Sequence, residues 1–351
     1  MLLAAALVCV VFVLTISWFT SIPRLAMDFG DSSSYISVAD AIQHWNFHGL
    51  AIKQFWGVSY AAAAVSKLTR VSSLTSLLVI SFVSFFAAAI IAHRLWGGWA
   101  AALFVVLNFD WMQRSFLGGS EPLFVALLFG SFLAIRRERW MLATLLTSLS
   151  TTVRPLGFLA LVGIGATLLW RHEYKKTVMA TLLGLAVGAA YVLPLYLYLG
   201  DPLATVHSYQ APASVAPPLF GIPFYAIIKG TVLYPAPWTN VVLSFGWIFF
   251  VLAGAIAMLA TRNFHHFAKQ YPVEVCFAAL YIFFICSYNF PYWARGTFAR
   301  FAIPVIPLVL ISLMRWIPKS RSLLWGLGIV SPMLAAASVL GIRNVLQMIR
   351  H

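Results

Sequence analysis

Residues 121–170 read EPLFVALLFGSFLAIRRERWMLATLLTSLSTTVRPLGFLALVGIGATLLW, and the way this stretch divides decides the fold. Apolar runs at 121–135, 140–153 and 156–170 are separated by a charged turn, Arg136-Arg137-Glu138-Arg139, and by Arg154-Pro155. If 140–170 were one span, the turn at 136–139 and the basic group of Arg171, Lys175 and Lys176 would face opposite sides of a membrane. Two short spans turning at Arg154-Pro155 return both groups to one side, as the bias of Lys and Arg toward cytoplasmic loops demands.

Further runs lie at 2–20, 74–92, 98–110, 177–198, 240–260, 272–288, 302–316 and 322–341, which makes ten or eleven spans. At about 20 residues per span they use roughly 220 residues and leave loops for the rest. Only 9% of the 351 residues are charged and 62% are hydrophobic, with a mean hydropathy of +0.91. A soluble domain carries roughly 25% charged residues, so this composition excludes a soluble enzyme. It also excludes a single-pass receptor and a large separate soluble domain. The runs are continuous rather than alternating, unlike those of an outer-membrane barrel. The expectation is an all-α polytopic helical membrane protein, with residues 1–351 forming one transmembrane domain.

The net charge of +14 sits in short clusters between apolar runs, the mark of loops facing anionic lipid rather than nucleic acid. Cys9, Cys276 and Cys286 fall inside apolar segments and show neither a disulfide framework nor metal-ligand spacing. The first run lacks a basic n-region and reads as an uncleaved anchor.

With the N-terminus inside, the nine acids sort by side. Asp28, Asp31, Asp40, Asp110, Glu121 and Asp201 fall outside, whereas Glu138, Glu173 and Glu274 lie inside beside basic clusters or a span end and read as structural. Scarce carboxylates gathered on one face point to a site there. Two outer segments are long. In the first, 21–73, Tyr35, Val38, Ala39, Ile42 and Trp45 recur at helical spacing opposite Ser37, Asp40, His44 and His48, which predicts an interfacial amphipathic helix. The second, 200–239, holds seven of the 17 prolines and reads as a loop with short helices.

Asp28 and Asp31, three apart at a bilayer surface, supply candidates for a general base, and Asp31 or Ser32 also suits the N-cap of the interfacial helix. Glu121 opens a span ahead of Pro122, where a helix dipole favours an acid, and an acid at a membrane face is also a candidate substrate contact. Arg154, Arg295 and Arg300 are cations on the outer side, against the positive-inside bias. Guanidinium forks match phosphate oxygens, so a lipid-linked phosphate would account for them, although snorkelling beside the aromatic belt of Phe290, Tyr292, Trp293, Phe298 and Phe301 would do so too. Arg24, Lys53, Lys67, Arg70 and Arg114 read as head-group contacts. Asp110, Asp201, His207 and Lys229 stand behind these candidates. No P-loop, dinucleotide-binding glycine motif, HExxH or nucleophile elbow is present.

Three stretches resemble the GT-C glycosyltransferases, polytopic enzymes that take a sugar from a polyprenyl-phosphate carrier. Asp31-Ser32-Ser33-Ser34-Tyr35-Ile36-Ser37-Val38-Ala39 is similar to their first-loop pattern of an Asp ahead of a Tyr and an interfacial helix. Ser120-Glu121-Pro122-Leu123-Phe124 with Thr152-Val153-Arg154-Pro155-Leu156-Gly157 resembles the pair of turns of mannosyltransferase-like members. Arg300-Phe301-Ala302-Ile303-Pro304-Val305-Ile306-Pro307 resembles the opening of a late span. The family's paired first-loop acids are adjacent in many members, whereas Phe29 and Gly30 separate them here.

The resemblance implies an inverting transfer to an acceptor hydroxyl on a glycan, lipid or protein at the non-cytoplasmic face of a bacterial inner membrane. In it Asp31 is the catalytic base with Asp28 as partner or substitute, and Tyr35, Glu121, Arg154, Arg295 and Arg300 bind substrate. The phosphate leaving group already carries charge, so protein cations suffice without a cofactor, and a divalent metal stays open. A flippase for a lipid-linked sugar, or an outer-face glycan polymerase or ligase, is the alternative.

Overall fold

The computed structural model describes residues 1–47, 54–210, 220–226, 228–229, 238–260, 262–288 and 298–350. Among these there is no strand, only an isolated antiparallel bridge between Phe220 and Tyr288. In chain order the helices are α1 (Leu2–Phe19), α2 (Ile22–Asp28), α3 (Gly30–His44), α4 (Gly57–Thr69), α5 (Ser73–Trp96), α6 (Gly98–Leu107) and α7 (Phe109–Phe116). Next come α8 (Glu121–Arg136), α9 (Trp140–Val153), α10 (Phe158–Trp170), α11 (Tyr174–Leu199) and α12 (Ala204–Gln210). The last six are α13 (Trp238–Ala260), α14 (Arg262–Gln270), α15 (Pro272–Ser287), α16 (Phe298–Ala302), α17 (Ile306–Leu313) and α18 (Arg321–Arg350).

By length and composition α1, α5, α11 and Arg321–Gly341 of α18 can each cross a membrane, and α7 with α8, bent by 106° at their junction, makes a fifth if counted as one. Shorter apolar helical segments of 10–17 residues are Gly98–Leu107, Trp140–Val153, Pro155–Trp170, Phe245–Ala260, Pro272–Ser287 and Phe298–Leu313. Large apolar side chains face outward, among them Leu14 and Trp18 on α1, Val83 on α5, and Leu182, Leu185 and Leu197 on α11. Small hydroxyl residues are buried instead. Ser131 of α8 and Thr147 of α9 hydrogen-bond at 2.5 Å, and Ser76, Ser81, Thr144 and Ser150 lie inside. Apolar outside with hydroxyls between helices is how helices pack in lipid. This is an all-α membrane protein.

The 121–170 stretch divides as expected, with α8 and α9 joined by the charged turn and α10 entered through a 3-10 turn at Pro155–Gly157. Two other runs are broken where continuous ones were expected. Residues 98–110 divide at Asn108, whose extended backbone (φ −101°, ψ 116°) ends α6. Its side chain accepts from the backbone N–H of Trp111 at 3.0 Å, the capping competition that makes Asn a helix starter. Residues 302–316 divide into α16, a 3-10 turn at Ile303–Val305 and α17, because Pro304 and Pro307 lack the N–H that a continuous helix needs.

α8 sets the scale of the molecule. Its 16 residues put Glu121 and Arg136 about 22 Å apart along its axis. At the Arg136 end, Glu274 of α15 accepts from Arg136 Nε at 2.7 Å and Nη2 at 3.0 Å, and from Trp96 Nε1 at 3.0 Å. Arg136 also reaches the Leu95 carbonyl at 2.5 Å and lies 3.7 Å over the Tyr271 ring. This buried staple ties α5, α8 and α15. Removing one partner of such a pair strands the other, at a cost of about 3–5 kcal/mol. Glu274→Ala is therefore expected to lower thermal stability in detergent much more than Glu274→Gln, which keeps an acceptor for Arg136.

Candidate functional site

The opposite end of α8 gathers a second cluster of charges. α3 begins at Gly30, one residue ahead of the expected cap, with Phe29 at the N-cap. Asp31 therefore sits in the first turn and its carboxylate caps no backbone; it faces Arg114 and Arg300 instead. Tyr35, Val38 and Ala39 are buried while Ser37, Asp40 and His44 are exposed, the two faces predicted for this helix. Trp45 departs from its expected apolar face: it is a left-handed C-cap (φ 54°), 62% exposed, with its ring 5.3 Å from Tyr198.

The turn between α7 and α8, Leu117-Gly118-Gly119-Ser120, is pinned from two sides. Ser32 Oγ donates to the Leu117 carbonyl at 2.6 Å, and Ser81 Oγ to that of Gly119 at 3.0 Å. Gly118 has φ 84°, and a Cβ on Gly119 would lie 2.5 Å from the Arg114 Cβ, so both glycines are required for the turn. The turn aims Glu121, 1% exposed, back toward the end of α9. There Arg154 leaves helical geometry (φ −145°, ψ 127°) ahead of Pro155 and reaches Glu121 Oε1, while its Nε donates to Ser120 Oγ at 3.3 Å. Tyr35 OH donates to the same Ser120 Oγ at 3.0 Å.

The third arm is α16. Asn108 Nδ2 donates to the Ala299 carbonyl at 2.8 Å, so the residue that caps α7 also fixes α16. Arg300 then spans both acids, with Nε on Glu121 Oε1 and Nη2 2.6 Å from Asp31 Oδ2. Arg114 Nη1 donates to the same Asp31 Oδ2 at 2.9 Å, and its guanidinium lies 4.2 Å over the Phe29 ring. The result is one connected network of three guanidiniums, two carboxylates, Ser120 and Tyr35.

Two atoms in it are unsatisfied. Glu121 Oε2 and Arg114 Nε are buried without a hydrogen-bond partner. Burial would raise the Asp31 carboxyl, but Arg300 and Arg114 outweigh it and hold the group below the usual range, so it is ionised. Asp31 Oδ2 carries both arginines, while Oδ1 accepts no hydrogen bond among the described residues. Burial and the nearby acid charges push the Tyr35 phenol up, so it stays a donor.

The structure thus brings Asp31, Tyr35, Glu121, Arg154 and Arg300 together. Asp28 is not among them: it ends α2 and pairs with Arg343 of α18 at 3.1 Å. Arg295 lies outside the described residues, as do His48, Lys53, Phe290, Tyr292 and Trp293. Arg114 belongs to the network, although sequence reading placed it among head-group contacts. The available signal was the Asn108 cap, which starts an amphipathic helix and turns Arg114 inward. Asp201 pairs instead with exposed His207 at 2.7 Å, and Lys229 lies 5.4 Å from the Tyr225 ring.

Beyond Thr152 and Pro155, which flank Arg154, lies an apolar recess of about 210 Å³ bounded by α9, α10, α11 and α12, with Phe55, Tyr191, Leu195 and Val206 among its walls. Among the described residues no group of His, Cys, Asp and Glu has the arrangement to hold a metal ion. No family model matches the chain, and neither a curated protein nor a solved structure similar to it was found.

Proposed function

We propose that the protein is a membrane glycosyltransferase that moves a sugar from a polyprenyl-phosphate donor to an acceptor hydroxyl. The observation that carries the reading is the joining of Arg114, Arg154 and Arg300 through Asp31 and Glu121 at one end of α8, beside an apolar recess. Buried guanidiniums fit a phosphate, the recess beside Arg154 fits an isoprenoid tail, and a carboxylate with one open oxygen fits a base. In the step, the acceptor oxygen attacks the anomeric carbon and gives its proton to Asp31. The bond from that carbon to the phosphate oxygen breaks on the opposite face, with inversion. Its electron pair leaves with the phosphate, whose charge Arg154 and Arg300 stabilise. Tyr35 holds Ser120 against Arg154.

This reading takes the helices as ten or eleven spans, with the N-terminus cytoplasmic, the arginine network on the outer face of a bacterial inner membrane, and a glycan, lipid or protein as acceptor. It uses the residues named in the GT-C resemblance except Asp28 and Arg295. Reconstitution in liposomes with a lipid-linked sugar separates it from transport. Transfer predicts that the carbon–phosphate ester is cleaved and free polyprenyl phosphate appears. Movement of intact lipid-linked sugar across the bilayer, without cleavage, would establish a flippase.

A further inference from the structure

Asp110 and Arg114 lie four residues apart on α7, a spacing that brings side chains within reach on one helix face. They do not pair. Arg114 turns to Asp31, leaving its buried Nε without a partner. Asp110 feels the charges of Arg114, Arg300 and Glu121, yet its carboxylate accepts no hydrogen bond among the described residues. A donor and an acceptor, both unspent, thus sit one helical turn apart. Meanwhile Asp31, which carries two guanidiniums on one oxygen, is held where its basicity is low. Besides Arg114 and Arg300, Glu121 and Arg154 act on it.

We propose that Asp110 is a positioning residue, the second seat of Arg114: as substrate binds, Arg114 swings from Asp31 to Asp110, and Asp31 is released to take the acceptor proton. The inference rests on the glycosyl-transfer reading, in which Asp31 is the base. Two nearby carboxylates then divide the work, one taking the proton and one taking the cation, and Arg114 is an element with two discrete arrangements that substrate biases. No new bond forms, and the move exchanges one ion pair for another.

The test is a double-mutant cycle on purified protein with a donor that the wild type consumes. In Asp110→Asn, Arg114 has no second seat and stays on Asp31. The acidic limb of the kcat profile is then expected to move to lower pH by about one unit, with kcat down about tenfold and KM for the donor little changed. In Arg114→Gln, Asp31 is already released in the free enzyme, so the acidic limb of kcat/KM moves to higher pH while that of kcat stays near the wild type. Adding Asp110→Asn to Arg114→Gln is expected to change neither the limb nor kcat, because the residue through which Asp110 acts is gone. Melting curves of each variant separate this effect from a loss of folding, and Asp110→Glu should restore the wild-type profile.

An Asp110→Asn effect of equal size in both backgrounds, or one confined to melting temperature with the pH profile unmoved, overturns the second-seat assignment and leaves glycosyl transfer standing. A wild-type protein that consumes no lipid-linked sugar overturns the transfer reading, and this inference with it.

Discussion

Asp31→Asn is expected to lower sugar transfer by about a thousandfold, the range of a lost general base, while the protein folds and still binds donor. The substitution keeps the shape of the side chain and removes only its charge and proton affinity. Its sign on binding separates catalysis from recognition. Asp31 competes with any incoming phosphate for Arg114 and Arg300, so Asn should leave polyprenyl-phosphate affinity unchanged or tighter. A residue that only held substrate would weaken binding instead. The folding cost is small, because Asp31 is about a quarter exposed and Arg300 keeps Glu121 as a partner. Equilibrium binding of polyprenyl phosphate, set beside single-turnover transfer, checks both halves.

Glu121→Ala is expected to act mainly on stability. Glu121 is nearly enclosed, and its Oε1 takes both Arg154 and Arg300. Removing it strands the guanidinium of Arg154 and leaves that of Arg300 only Asp31, both about 85% buried. Breaking a buried pair costs about 3–5 kcal/mol, and here one carboxylate serves two cations, so the upper end applies. The expected result is a large drop in melting temperature and in the yield of monodisperse protein. Glu121→Gln keeps an acceptor at Oε1 and should fold better, though it loses transfer because Arg154 and Arg300 are no longer held in register. If Glu121→Ala melts like the wild type, the three arms of the network are not joined through this residue.

The charged clusters at the two ends of α8 were legible in the sequence because charge is scarce in it. Arg136 and Glu274 at one end of α8, and Glu121, Arg154, Arg300 and Asp31 at the other, stand out against apolar runs, and the turns at 136–139 and 154–155 have direct chemical causes. What stayed hidden depended on contacts between distant segments. Nothing within 21–44 shows that Asp28 turns to Arg343, more than 300 residues away, while Asp31 turns to Arg114. In the sequence Arg114 reads as a head-group contact, because an isolated Arg beyond an apolar run looks like a lipid contact. Only the break at Asn108, which both caps α7 and anchors Ala299, turns it into the site. The same break explains why the run at 98–110 is not one helix: hydropathy marks an apolar run, but a capping Asn inside it offers the backbone another partner.

The most direct test of the central claim is sugar release from a panel of radiolabelled polyprenyl-phosphate sugars by the purified protein, wild type beside Asp31→Asn. Glycosyl transfer with Asp31 as base predicts that at least one donor is consumed by the wild type, with polyprenyl phosphate as the product, and that Asp31→Asn consumes it about a thousandfold more slowly. Equal consumption by the two proteins, or none by either while labelled lipid crosses a bilayer containing the protein, would contradict it.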